Sequence, residues 1–406
     1  MPEVKPSIET LAKIKVVGVG GAGGAAVNRM IQSKIRGVDF ISVNTDLQAL
    51  HCVQAPTKVH IGKTVTRGLG AGMDPEMGRK AAEENQNEIR EALKGADMVF
   101  ITCGLGGGTG SGAGPIVAEI AKNSGALTIG IVTKPFAFEG AQRKDIAEKA
   151  HAELAGKVDS IITIPNDRVL QLIEKKTSLL DAFQIVDDVL RQGVQGMSEV
   201  ITTPGLINVD FADVRSIMRD TGSALMGIGR ASGENRAVEA AKAAIASPLL
   251  DLSIDGAKGI LFTITGSSSL GMHEVAEAAK VITGNADPGA KVIFGSVIDD
   301  NLKDELRITV IATGFDHRES AVPSYNKNSF RENSSYTAPS PSLRSSLFSA
   351  GSIFRKDKEE KKEDKPSVSA GAQFQKKSLK KEETEEEELS ADEELEIPAF
   401  IRKKMM

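Results

Sequence analysis

Short apolar runs alternate with amphipathic stretches from residue 13 to about 316. The runs IKVVGVG (14–20), DFISVNT (39–45), DMVFITC (97–103), ALTIGIVT (126–133) and SIITIPN (160–166) are rich in Ile and Val and bounded by Gly, Asn or Thr. That pattern predicts buried strands. Helical patterns such as PEMGRKAAEENQNEIREALKG (75–95) lie between them. The alternation predicts an α/β fold, with a Rossmann-like parallel sheet covered by helices on both faces and ligands at the carboxyl ends of its strands.

In SLLDAFQIVDDVLRQGVQGMSEVI (178–201), Leu179, Phe183, Val186, Leu190, Val194, Met197 and Ile201 recur at steps of three and four, one continuous helical stripe. Gly193 and Gly196 lower its propensity, so packing must stabilise it, and TTPG stops it. Beyond it, SALMGIGRA, GILFTITG, KVIFGSVID and LRITVIATG read as strands, and ENRAVEAAKAAIAS and LGMHEVAEAAKVIT as helices, a smaller mixed α+β unit. After His317 the chain turns to Ser, Asn and Pro and then to the charge blocks RKDKEEKKEDK and EETEEEEL. Such a stretch cannot bury enough apolar surface to offset the entropy of ordering. The expected organisation is a flexible N-terminus (1–12), an α/β domain (13–178), a central helix (179–203), an α+β domain (204–316), a disordered linker (317–390) and a terminal peptide (391–406).

Composition narrows the class of function. Of 406 residues, 40% are hydrophobic, enough for a sizeable core in two domains. A net charge of -5 argues against a dedicated nucleic-acid binder. Cys52 and Cys103 are the two cysteines, with no C-x-x-C and no clustered histidines, which disfavours a disulfide framework or structural zinc and favours a reducing compartment. The N-terminus has no apolar h-region, and no stretch approaches eighteen uninterrupted apolar residues. The expectation is a cytosolic protein with neither signal peptide nor membrane span.

Two glycine-rich stretches carry the candidate chemistry. In VVGVGGAGGAAVN (16–28), Gly18, Gly20 and Gly23 fit G-x-G-x-x-G after a strand, and Asp46 lies a little over twenty residues on. That is nearly the Rossmann fingerprint of an NAD oxidoreductase. Alone it is equally the mark of another phosphate site or of a plain tight turn. The second stretch, CGLGGGTGSGAGP (103–115), has seven glycines in thirteen residues, costly in backbone entropy unless the backbone wraps a bulky anion. Two such loops on neighbouring strands suit a triphosphate better than a pyrophosphate. TKVHIGKT (57–64) fails as a Walker A loop, because Thr57 takes the first glycine position, and N-K-x-D is absent from the core.

GGGTGSG (106–112) is the tubulin-type signature, and residues 13 to 316 resemble the FtsZ family of bacterial tubulin-like cell-division GTPases; IPAFIRKK (397–404) resembles that family's partner-binding peptide. The resemblance implies GTP and GDP as ligands, with Mg²⁺ on the phosphates. Gly21, Ala22, Gly23, Gly24 and Ala25 would offer phosphate-facing amides in the first loop, and Gly107, Gly108, Thr109 and Gly110 in the second. Ala25 stands where the family usually has a polar residue such as Asn, so a side-chain contact is lost. Gly68 to Gly72 resembles the loop that senses the γ-phosphate, and Glu139 and Arg143 resemble the ribose and phosphate contacts. Asn166, Phe183 and Asp187 would read the base. Phe183 and Asp187 are four apart and share a helix face; a carboxylate accepts from guanine N1–H and the exocyclic amine, a donor pair adenine lacks. Phe183 can equally be core packing.

In NVDFAD (208–213), Asn208, Asp210 and Asp213 are polar loop residues able to polarise a water that attacks the γ-phosphate, or else to cap the helix that starts at Asp213. If Phe183 touches the base, about twenty further helical residues at ~1.5 Å each put this loop ~30 Å away. It then reaches only the nucleotide of a neighbour stacked head to tail, and such a heterologous contact generates a filament. A tubulin-like scaffold without hydrolysis is the alternative. At the C-terminus, Ile397, Pro398, Phe400, Ile401 and Arg402 belong to a peptide expected to turn helical in the apolar groove of a membrane-associated adaptor, without inserting into the membrane. The resemblance further implies a cytoplasmic ring at the division site.

Overall fold

The structure, a computed structural model, describes residues 12–170, 177–203, 205–246, 254–284 and 286–315. The expected linker (317–390) and the peptide carrying Ile397, Pro398, Phe400, Ile401 and Arg402 lie outside the described residues.

Six strands come first: β1 (Ile14–Val19), β2 (Val38–Asn44), β3 (Thr57–His60), β4 (Met98–Gly104), β5 (Leu127–Lys134) and β6 (Ser160–Pro165). Five match the apolar runs. The four-residue β3 is new: TKVH has a single apolar residue, and it becomes a strand by pairing with β2 from Ile41↔Thr57 to Asn44↔His60. Between the strands run α1 (Gly20–Gln32), α2 (Leu47–Cys52), α3 (Pro75–Glu84), α4 (Gln86–Leu93), α5 (Gly108–Asn123), α6 (Ala141–Ala155) and α7 (Asn166–Leu170). The helical pattern at 75–95 is two helices. Asn85 leaves helical geometry (φ -111°, ψ 26°), and its side chain accepts from the Gly62 N–H at 2.8 Å and donates to Glu88 at 3.1 Å.

The pleat divides the core. Ile14 and Val16 of β1 face a layer with Val27 and Met30 of α1. Val17 and Val19 face the other, with Ala81 of α3, Ile89 of α4, Val117 of α5 and Leu154 of α6. The central helix is α8 (Leu179–Thr202), started by the Ser178 side chain accepting from the Asp181 N–H at 3.1 Å. Its Leu190, Val194 and Met197 join the first layer, at roughly 1.5–3 kcal/mol for each side chain buried. That outweighs a penalty of ~1 kcal/mol for each of Gly193 and Gly196. The same glycines let α8 press on the sheet, since a β-carbon at Gly196 would lie 3.0 Å from Thr309.

The rest comprises α9 (Phe211–Met218), β7 (Gly222–Ser232), α10 (Arg236–Ile245), β8 (Gly259–Gly266), α11 (Met272–Thr283), β9 (Lys291–Ile298) and β10 (Glu305–Thr313). The strands form one ten-stranded sheet, in the order β3-β2-β1-β4-β5-β6-β7-β10-β8-β9. β1 to β6 are all parallel, and β10 runs antiparallel to β7 and β8. The two expected halves are thus joined edge to edge by three parallel pairs, Ser160↔Gly222 to Ile162↔Ala224. Among the described residues no helix is long and apolar enough to cross a membrane.

Candidate functional site

In the strand order 3-2-1-4-5-6 the direction of winding reverses between β1 and β4, and such a crevice at the carboxyl ends is where open α/β sheets bind ligands. Both glycine stretches meet there. Most of each is not loop: α1 begins at Gly20, and α5 at Gly108. The first turns of two helices therefore present unpartnered N–H groups and two positive dipole ends to one crevice. They abut closely, because a β-carbon at Gly20 (φ +75°) would lie 3.1 Å from the Gly110 nitrogen.

The glycines divide by task. A β-carbon at Gly23 would lie 2.4 Å from the Thr102 carbonyl oxygen, one at Gly112 lies 1.9 Å from that of Pro75, and one at Gly78 2.3 Å from that of Gly108. Gly112 thus serves the contact of α3 with α5 rather than an anion. At Gly21 and Gly107 a β-carbon would meet nothing within 4 Å. No packing requires glycine there, which leaves the backbone open to a ligand.

A cleft of about 330 Å³ opens at this point. Of the expected nucleotide residues, Gly21, Ala22, Gly107, Gly108, Thr109, Gly110, Glu139, Arg143, Asn166, Phe183 and Asp187 line it. Gly23, Gly24 and Ala25 do not: Gly23 and Gly24 are buried, and Ala25 is exposed on α1. The lining also includes Thr133, Pro135, Val186 and Leu190, which the sequence reading did not assign to the site. The rule that ligands sit at strand carboxyl ends could have found Thr133, near the end of β5.

The polar groups are set by their neighbours. Glu139 accepts from the Phe136 N–H at 2.9 Å and pairs with Arg143 one helical turn on, which closes the 3₁₀ turn Ala137–Glu139 over the cleft. Asn166 is buried, and its Oδ1 has no hydrogen-bond partner among the described residues, an acceptor waiting for a donor. Burial pushes the Asp187 carboxyl up to about 6, and the charge of Arg29 on α1 pulls the other way. Phe183 is 41% exposed, so core packing does not explain it. Its ring stands T-shaped to that of buried Phe136, centroids 5.6 Å apart, which leaves a face for stacking. A planar base with adjacent donors and a phosphate chain fits this donor set.

Asp46, the acid of the NAD fingerprint, is otherwise engaged. Its side chain caps α2, accepting from the Gln48 and Ala49 N–H groups at 2.8 and 3.1 Å. The 68–72 stretch is no bare loop. Gly68, Gly70 and Gly72 all have positive φ, Leu47 N–H donates to the Gly68 carbonyl at 3.1 Å, and Leu69 bridges Asp46.

Asn208, Asp210 and Asp213 lie apart from this cleft, beyond the far end of α8. Asp210 is the N-cap of α9, accepting from the Asp213 N–H at 2.8 Å, so the helix starts two residues before the expected Asp213. Asn208 accepts from the Gly205 N–H at 2.6 Å. The Asp213 carboxylate has no hydrogen-bond partner among the described residues. Ile207 exchanges two backbone hydrogen bonds with Ser296, which docks the segment on β9.

Comparison with known proteins agrees with this geometry. Residues 13–174 match the Tubulin/FtsZ family GTPase domain, and residues 222–316 the FtsZ family C-terminal domain. Among solved structures, an empty FtsZ dimer from M. jannaschii is 45% identical, with 75% of this chain and 89% of that one covered and a TM-score of 0.71. Two Haloferax volcanii proteins share the fold at lower identity. CetZ1, solved as a GDP-bound monomer, is 21% identical over 75% of this chain and 95% of its own, with a TM-score of 0.66. CetZ2, solved as a GTPγS-bound protofilament, is 22% identical over 76% and 96%, with a TM-score of 0.64. With both halves matched in order along one chain, the protein belongs to the Tubulin/FtsZ family of GTPases.

Proposed function

We propose that the protein assembles head to tail into filaments and hydrolyses GTP at the contact between subunits, as the working part of a cell-division ring. The observation that carries this reading is the unbroken helix α8. Phe183 and Asp187 near its start line the cleft, and its end leads into the Asn208–Asp213 segment. The nineteen steps from Phe183 to Thr202 at ~1.5 Å each span ~30 Å, so no chain's own carboxylates reach its own nucleotide. The distribution of exposed apolar side chains supports the same contact. Leu69 (85% exposed) and Phe138 (64%) lie by the cleft. Leu206 (77%) and Met272 (79%) lie at the other end, where Ile207 pairs with Ser296 and α11 follows β8. A contact between unlike ends does not close on itself.

In such a filament Gly21, Ala22 and the α5 N-terminus hold the phosphates, while Asn166, Phe183 and Asp187 hold guanine. Asp210 and Asp213 of the next subunit orient the attacking water, and Asn208 shapes their loop. Mg²⁺, carried by the phosphate oxygens, would neutralise charge there. On this reading residues 13–178 are the nucleotide domain, 179–203 the spacer, and 204–316 the domain that completes a neighbour's site. Residues 317–390 are a linker and 391–406 a peptide gripped by membrane-associated adaptors at a cytoplasmic division site. Phosphate release measured over a range of protein concentrations tests it. Specific activity should rise from near zero with concentration. A flat value down to high dilution would overturn the shared site, and none at any concentration would favour a scaffold.

A further inference from the structure

Beneath the phosphate cradle sits a buried hydroxyl that none of these roles uses. Thr45 follows β2 directly and is fully buried. Its Oγ1 lies 2.7 Å from the Oγ1 of Thr109, the second residue of α5. Its carbonyl oxygen accepts from the Gly70 N–H and the Thr66 hydroxyl, both at 3.3 Å. One residue is therefore bonded to the phosphate-facing helix start and to the Gly68–Gly72 stretch at once.

Resting on the nucleotide-site reading above, we propose that Thr45 is a positioning residue for phosphate binding, its hydroxyl donating to Thr109 so that the Thr109 proton points into the cleft. A hydroxyl has one proton to give. A phosphate oxygen facing Thr109 accepts, so Thr109 must spend its proton on the phosphate. The proton between the two threonines must then belong to Thr45. In the empty cleft either direction satisfies the pair; an anion selects one. The β-branched side chain of Thr109 has few rotamers, and the bond to Thr45 holds its oxygen in one of them. A hydrogen bond that ends on a charged group is worth more than a neutral one.

The test uses the full chain, stripped of nucleotide and kept below the concentration of assembly, with GTP and GDP as titrants. Thr45→Val replaces the hydroxyl by a methyl of similar volume and should weaken GTP binding by about tenfold. Thr45→Ser should restore it to within about twofold. In a Thr109→Ala background, Thr45→Val should cost nothing further, because the group it orients is gone. If Thr45→Val does not fold, Thr45→Ala carries the same comparisons. Binding unchanged by loss of the hydroxyl, a Thr45→Ser variant as weak as Thr45→Val, or an equal penalty in the Thr109→Ala background would each overturn the proposal. Failure of the unaltered chain to bind GTP would instead remove the nucleotide-site reading itself.

Discussion

At Gly112 a β-carbon would lie 1.9 Å from a backbone oxygen of α3, and at Gly107 it would touch nothing. Substitution by alanine should therefore separate folding from binding. Gly112→Ala forces two helices apart and should cost more than the ~1–3 kcal/mol of ordinary overpacking, read as a large fall in melting temperature. Gly107→Ala should melt like the parent and bind GTP at least about tenfold more weakly. Equal melting temperatures for the two variants would show that the α3–α5 approach is not what fixes these glycines. Asp187 separates the same quantities by pH. With its carboxyl raised from 3.8 to about 6 by burial, the folded chain holds the proton more tightly than the unfolded one. Its contribution to stability thus declines as pH rises from about 4 to about 6 and is level above. Guanine needs the ionised form, so affinity should fall as pH drops below 6, approaching tenfold per unit, with proton release on binding near pH 6. Asp187→Asn should raise the melting temperature more at pH 7.5 than at pH 5, and lose guanine affinity at both. A flat affinity between pH 5 and pH 7 would remove Asp187 from base reading.

At the scale of single elements, α9 shows how one side chain can hold two positions at once. Asp210 caps the helix and is a proposed catalytic carboxylate. Asp210→Asn keeps an acceptor for the Asp213 N–H, so stability should change by only a few tenths of a kcal/mol while phosphate release drops. Asp213→Ala should bind GTP normally and hydrolyse it poorly. Loss of GTP binding by the dilute Asp213→Ala variant would contradict the separation of the two sites along α8. These elements also mark what the sequence makes legible. Runs such as DMVFITC become strands because burial on both faces selects for apolar β-branched residues, whatever lies beside them. The stripe of α8 survives two glycines for a similar reason. By contrast, the break at Asn85 depends on the Gly62 N–H, more than twenty residues away, and β3 depends on an offered edge. The start of α5 at Gly108 reflects its fit against Gly78. The cleft lining at Phe183 and Asp187 was legible through the family resemblance, with their four-residue spacing placing both on one helix face. Thr133 was not, because its part in the cleft is given by its neighbours alone.

Across the whole molecule, the filament reading assigns the contact between subunits to apolar side chains at opposite ends. Leu69→Glu or Leu206→Glu places a charge in a contact that the filament reading makes dry. Either should abolish GTP-dependent pelleting and leave GTP affinity of the monomer within about twofold, since neither residue lines the cleft. Pelleting unchanged by both would remove these ends from the contact. The joint between β6 and β7 has its own consequence. A wide hydrogen-bonded plate resists bending across most of its breadth, but here it narrows to three residue pairs at 160–162 and 222–224. Faster hydrogen exchange at those amides than along β4 and β5 would mark this neck. Stretch along the molecule should run along α8, while twist between the halves should meet the fewest strand pairs at the neck. Because buried side chains of both halves share one apolar layer, the halves should swivel about this neck without coming apart.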